Sequence, residues 1–235
     1  MDWRTNALLR MVQLGVEDPS LERMHHAIER ELRGVSKLFR KAGAKASLEY
    51  QEALIDEGCE RIEELLGMAF AVAQSSITTV RTGISSASAI CESNLGQRLS
   101  IAPDAKAYGT FQLGPKFGSG PYTAAEVINA VANYWKHHED WPTVEQPRAG
   151  RIATLWDKNG RRGNEQKTVA IVMSIGLAYG SSGNLRTAAE ALGIREPYEN
   201  LSPIRDVLRR WAQDVYDKTR AEITSRGATP GNAAV

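Results

Sequence analysis

The stretch ANYWKHHEDWP, residues 132–142, sets an amide, an ammonium and an imidazole within about one helical turn: Asn133, Lys136 and His137. That combination can grip or cleave a phosphodiester without a metal ion. Lysine holds phosphate as a point charge, histidine moves a proton near neutral pH, and asparagine orients either group. Two of the chain's four histidines, His137 and His138, lie here, and Pro142 cannot continue a helix.

On a wheel of about 100° per residue, the two histidines part. Ala124, Val127, Ile128, Val131, Tyr134 and Trp135 form an apolar face, and His138 falls in its middle as a core residue. Glu126, Asn129, Asn133, Lys136, His137 and Asp140 form a polar stripe. A solvated face is the plain reading of such a stripe. Against it, asparagine is a poor helix-interior residue, yet Asn129 and Asn133 repeat one turn apart. His137, four residues after Asn133, can share a ligand with it.

These residues carry a resemblance. Ala132-Asn-Tyr-Trp-Lys-His137, within a chain of long helices, resembles the late-helix motif of the HEPN superfamily, small all-α domains of bacterial toxin and phage-defence systems and of RNA processing. Active members are metal-independent endoribonucleases whose motif runs Arg, a polar residue, three variable residues, His. Asn133 matches the polar position, Tyr134 to Lys136 the variable ones and His137 the histidine. The resemblance implies RNA as the target, a homodimer, antiviral defence or toxin biology, and no cofactor. His137 would be general acid/base, Asn133 its orienter or the phosphate's, and Lys136 the group that stabilises a pentacoordinate phosphate. The arginine position falls on Ala132. The positive charge then comes from Lys136, or from an arginine elsewhere, or the domain does not catalyse.

Beyond Pro142, the segment 148–167 carries Arg148, Arg151, Lys158, Arg161, Arg162 and Lys167 against Asp157 and Glu165. Such a patch can grip an RNA backbone, and a solvated basic loop would look the same. Residues 183–194, GNLRTAAEALGI, resemble the first helix and turn of a Fis-type helix-turn-helix. A groove-reading helix would have to follow at once, and Pro197 and Pro203 interrupt it. A helix closed by Gly193 is the expectation there.

These groups need elements to hold them. Asp18-Pro19 opens a long amphipathic run to about Lys41, with Met24, Ile28, Leu32, Val35 and Leu38 as its apolar stripe. Gly43 breaks it. A second long run from Ser47 carries Leu54, Cys59, Ile62, Leu65, Leu66, Ala69, Phe70 and Ala73, and continues toward Val80. Two adjacent long runs predict an antiparallel hairpin. Residues 93–122, with Gly96, Gly109, Gly114, Gly118 and Gly120, keep no period and read as a loop that can face a protein partner. Thr123 to Glu126 is a capping box with Tyr122 and Val127 as its staple. The run KTVAIVMSIGL from Lys167 is helical by neighbourhood, although its length and β-branching also suit a strand. Ser202-Pro203 opens the last helix, through Ile204, Leu208, Trp211 and Val215.

The fold class expected is therefore all-α, a helical bundle with two long antiparallel helices and a glycine-rich loop insertion. One domain would cover 1–224, with the loop at 93–122 and the basic loop at 142–166, and a disordered tail would occupy 225–235. A net charge of +1 over 235 residues supplies no global pull toward nucleic acid. Cys59 and Cys91 lack metal-ligand spacing and read as buried thiols of a reducing compartment. Neither Gly-x-Ser-x-Gly nor a Walker loop occurs. The N-terminus MDWRTNALLRM has no apolar signal core and no segment suits a bilayer, so no membrane partner and a cytoplasmic address are expected. The readings kept open are an RNA-binding or RNA-cleaving protein, a non-catalytic helical interaction module, and a DNA-binding helix-turn-helix protein.

Overall fold

The structure, a computed structural model, describes residues 6, 7, 10, 13, 19–42, 47–96, 98–101, 109–137, 164–178 and 181–227. The described elements are helical: α1 (Ser20–Ala42), α2 (Leu48–Leu95), a 3-10 turn (Gly109–Gln112), α3 (Ala124–His137), α4 (Asn164–Ser174), α5 (Asn184–Ala191) and α6 (Ser202–Gly227). Among the described residues the only β-type pairing is an isolated bridge between Lys116 and Thr123. No described helix is long and apolar enough to cross a membrane. By contact the chain divides into two compact units, 21–74 with 126–205, and 1–20 with 75–125 and 206–235.

In the first unit, α1 meets the early half of α2. Ile28, Leu32 and Val35 are buried with Ile62, Leu65, Leu66, Ala69 and Phe70. The apolar stripe read from the sequence is split, however. Met24 and Leu38 are 51% and 60% exposed, and His25, fully buried, takes the inward position instead. His25, one residue on from Met24, joins Ile28, Leu32 and Val35 at steps of three, four and three, and that buried register leaves Met24 outward.

Two helix-interior glycines let side chains approach α2 closely. A Cβ at Gly58 would run into the Phe39 ring, and one at Gly67 into the Trp135 indole. Glycine inside a helix costs about 1 kcal/mol relative to alanine, and here the packing explains it. Gly34 of α1 is different: a Cβ there would meet nothing within 4 Å.

Two carboxylates from this helix pair reach the starts of other helices. Glu29, 6% exposed, accepts from the Leu201 amide at 2.7 Å, just before α6, and from Arg205 Nη1 at 2.7 Å. Glu63 accepts from the first amides of α5, Leu185 N at 2.9 Å and Arg186 N at 3.1 Å, and from Arg186 Nε at 3.0 Å. A negative group at a helix N-terminus satisfies amides that the helix leaves orphaned and opposes the positive end of its dipole. Burial works against charge on Glu29, but the Leu201 amide and Arg205 outweigh it and hold its carboxyl below the ordinary value.

α5 closes as its sequence suggests. Gly193 stands at φ 86°, and Ile194 N donates to Ala189 O at 2.9 Å, a glycine-terminated helix end. The run from Lys167 is helical, within α4, and Gly176 at φ 89° ends it. Tyr198, in the connection that follows α5, donates its hydroxyl to Glu190 at 2.5 Å, and burial first, then Glu190, pushes the phenol above its ordinary value.

The second unit centres on Trp211, 1% exposed. Its indole N–H donates to the Thr110 carbonyl at 2.7 Å, and its ring stacks on Phe111 at 6.3 Å. Gly114, at φ 86°, passes so close that a Cβ would lie 3.0–3.1 Å from Trp211. Thr123 Oγ1 donates to Phe111 O at 2.8 Å. Within the glycine-rich segment, Thr110, Phe111 and Gly114 thus pack against one tryptophan. Of the remainder, residues 93–95 still belong to α2. The expected tail begins inside α6, which runs to Gly227, and 228–235 lie outside the described residues.

His25 generates a testable pH dependence. Its Nε2 lies 3.0 Å from the Ala69 carbonyl, so Nε2 donates, and Nδ1 is buried with no hydrogen-bond partner. Burial lowers its pKa from 6.5 to about 4. Between those values the unfolded chain takes up a proton that the folded chain refuses. Stability is therefore full above pH 6.5 and declines as pH falls toward 4. About 2 kcal/mol should be lost between pH 7.5 and pH 5, read as a fall in the urea midpoint, and His25→Leu should flatten that slope.

Candidate functional site

α3 begins where Ala124 N donates to Pro115 O at 3.0 Å. From there the helix is buried on most sides: Val127, Ile128 and Val131 are at 0%, and so is Ala132. Alanines let neighbouring helices close in, and Ala132 sits where the resembled motif carries arginine. That position lies in the core, away from solvent.

Three anchors fix the later half of α3, all within one unit. Tyr134, 8% exposed, accepts from Asn184 Nδ2 at 2.6 Å through its hydroxyl. Asn184 also donates to Ala178 O at 2.7 Å and accepts from Ala178 N at 3.1 Å. Trp135 lies against Gly67. Gln74 of α2 supplies the third anchor, and it takes up the polar stripe. Its Nε2 donates to Asn133 Oδ1 at 2.6 Å and to Asn129 Oδ1 at 3.1 Å. Its Oε1 accepts from Lys136 Nζ. One glutamine thus joins Asn129, Asn133 and Lys136, whose side chains an isolated helix would leave to water. At the stripe's other end, Glu126 pairs with Lys167 of α4 at 2.6 Å.

Asn133, Lys136 and His137 are brought together on the last turn of α3, with Lys136 and His137 exposed. The lysine's contact with Gln74 is with a neutral amide oxygen, and an ammonium has three N–H donors in all. The arrangement offers a positive group and an imidazole at the solvent-facing end of a fixed helix. Lysine and histidine at a helix C-terminus also suit the negative end of its dipole. His138, Asp140, Trp141 and the proposed RNA contacts Arg148, Arg151, Lys158, Arg161 and Arg162 lie outside the described residues.

Sequence reasoning missed Gln74. It sits in the low-polarity run of α2, and its only signal was being a buried-face amide, 9% exposed, in an otherwise apolar register. Among the described residues, no group of three or more metal-ligating side chains occurs. On α5, Arg186 is held by Glu63, and its Nη1 lies 3.7 Å from Cys59 Sγ. A connection with a cis Glu196–Pro197 bond separates α5 from α6, where a helix-turn-helix would need a short turn. Comparison with family models, with curated proteins and with solved structures finds no match.

Gly67→Ala tests the anchoring. Helix propensity alone would favour alanine by about 1 kcal/mol, but the added methyl collides with Trp135. A net destabilisation of about 1–3 kcal/mol in urea unfolding is expected. Gln74→Leu should lose a similar amount by stranding the partly buried Asn133.

Proposed function

We propose that the chain is a HEPN-like helical protein that holds the phosphate backbone of RNA at the end of α3 without cleaving it, in a bacterial defence or toxin setting. The observation that carries this reading is the Gln74 clamp, which fixes Lys136 beside the exposed His137. A preset cation loses less side-chain freedom on meeting phosphate than a free lysine does. Cleavage asks for more: a second cation on the transition-state charge and a histidine positioned as a base. Ala132, buried where the motif has arginine, supplies no such cation. The α1–α2 pair, taken as an antiparallel hairpin, is the frame that carries the site.

A second reading is favoured by the turn at 116–123. Phe117 N donates to Tyr122 O at 2.9 Å and Lys116 Nζ to Pro121 O at 2.7 Å, which presents an exposed tip, 118–121, in a fixed form. A non-catalytic module would offer that tip to a protein partner.

Fluorescence anisotropy with a single-stranded RNA, in EDTA, separates the two. Binding that weakens with salt is expected, with the RNA intact on a gel. Lys136→Glu and His137→Ala should each weaken it about threefold or more, at about 0.6 kcal/mol. RNA binding absent from the wild type sinks the reading and leaves the module. Cleavage abolished by His137→Ala would restore a catalytic role to that residue, whereas cleavage unchanged by it would remove the site altogether.

A further inference from the structure

An amide side chain has one accepting end and one donating end, and the end that faces outward decides what it binds. Along the polar stripe of α3 that choice is set from a single residue. The Lys136 ammonium can only donate, which assigns the Gln74 oxygen as the end that faces it. Gln74 Nε2 then faces the other way and donates to Asn133 Oδ1 at 2.6 Å and to Asn129 Oδ1 at 3.1 Å. Each asparagine thereby turns its oxygen to α2, and its Nδ2 takes the opposite branch of the amide, away from Gln74. Neither Nδ2 meets an acceptor among the described residues, and neither is a buried atom left without one. Both asparagines are half-buried and Lys136 is exposed.

Asn129, Asn133 and Lys136 follow one another at steps of four and three, a single helical stripe with about 5–6 Å between successive Cβ atoms. Their outward hydrogens make a row of donors with no acceptor in it. Glu126, the acid that precedes the row, does not interrupt it, because it is 9% exposed and pairs with Lys167. Such a row rewards a ligand that offers acceptors alone. Phosphate oxygens do so, and two oxygens of one phosphate can be shared between neighbouring donors. Base edges mix donors with acceptors, and the row gives their donors no partner.

We infer that Asn129 is a further binding residue of this site, and that Asn129, Asn133 and Lys136 together form an oxyanion row that takes phosphate by its oxygens and is blind to base sequence. Gln74 contributes no contact of its own to the ligand. It sets the polarity of the row, so that the asparagines offer hydrogens where either would otherwise be free to offer an oxygen. The row rests on the RNA reading for the source of its phosphate, a strand's backbone, and free phosphate is the other source of the same chemistry.

Side-chain amide peaks in a nitrogen–proton correlation spectrum of the full chain test it. Inorganic phosphate, added against sodium chloride of equal ionic strength, should move the NH2 peaks of Asn129 and Asn133. A single-stranded RNA should move the same peaks, a homopolymer as far as a mixed sequence. Asn129→Ala removes one donor and should weaken RNA binding about threefold. Asn129→Asp keeps an oxygen for Gln74, puts a second oxygen where the outward donor was, and should weaken binding about tenfold. The backbone peaks of both variants report whether the fold is kept. Asn200→Asp makes the same change of charge on an exposed residue whose side-chain oxygen still accepts from Ser202 N, and should leave binding as it was. RNA held by Asn129→Ala and Asn129→Asp as tightly as by the wild type overturns the inference and leaves the RNA reading standing. Phosphate that moves the two peaks in a chain that binds no RNA keeps the oxyanion row and removes RNA as its source. Peaks that stay still with both ligands overturn the row.

Discussion

A carboxylate withdrawn from water must be met by donors, and in the first unit the buried Glu29 and the half-buried Glu63 are both met at the starts of helices. Glu29 and Glu63 project from α1 and α2 onto the starts of α6 and α5, where helix amides lack partners of their own. Removing either side leaves the other uncompensated, since an orphaned buried charge is far more costly than an orphaned amide. Residues of α1 and α2 thus set where α5 and the start of α6 lie, and Arg186 and Arg205 pair with the same carboxylates. α5 in turn holds Tyr134 through Asn184, so the end of α3 inherits its position from this chain of contacts.

The exposed end of α3 is chemically modest. A lysine and an asparagine meet one glutamine there, and an exposed histidine follows in the next position. The network that fixes the lysine also engages the asparagine oxygen, so the groups that read as catalytic partners in the sequence are first of all partners of Gln74.

Much of the framework was legible. The helical periods gave α1, α3, α6 and α2 as far as about Val80, although α2 runs on to Leu95, the glycine gave the end of α5, and the α3 wheel separated Val127, Ile128 and Val131 from the polar stripe. Wherever side-chain period and burial agree, a single sequence suffices. It failed where a partner distant in the chain decides. Met24 and Leu38 fit the apolar stripe of α1 by spacing, yet lie outside the buried seam, because His25 bonds to a carbonyl forty-four residues away. Glu63 carried no signal of its role, because nothing near it in the sequence says that α5 begins beside it. Gln74 carried no motif at all, and without it the stripe on α3 looked solvated or catalytic and nothing between.

The two carboxylate caps also bear on the order in which the chain assembles. α5 has eight residues, too few to hold a helix alone in water. Its first amides wait for a residue 122 positions earlier, and Leu201 waits for one 172 positions earlier. Contacts so distant in the chain are closed late and slowly, after local structure exists. α1 and α2 can form from neighbouring sequence, whereas α5 and the entry to α6 gain their ends only once that pair stands. α5 and the entry to α6 are thus the last part of this unit to be made and, by the same token, the first that it would let go.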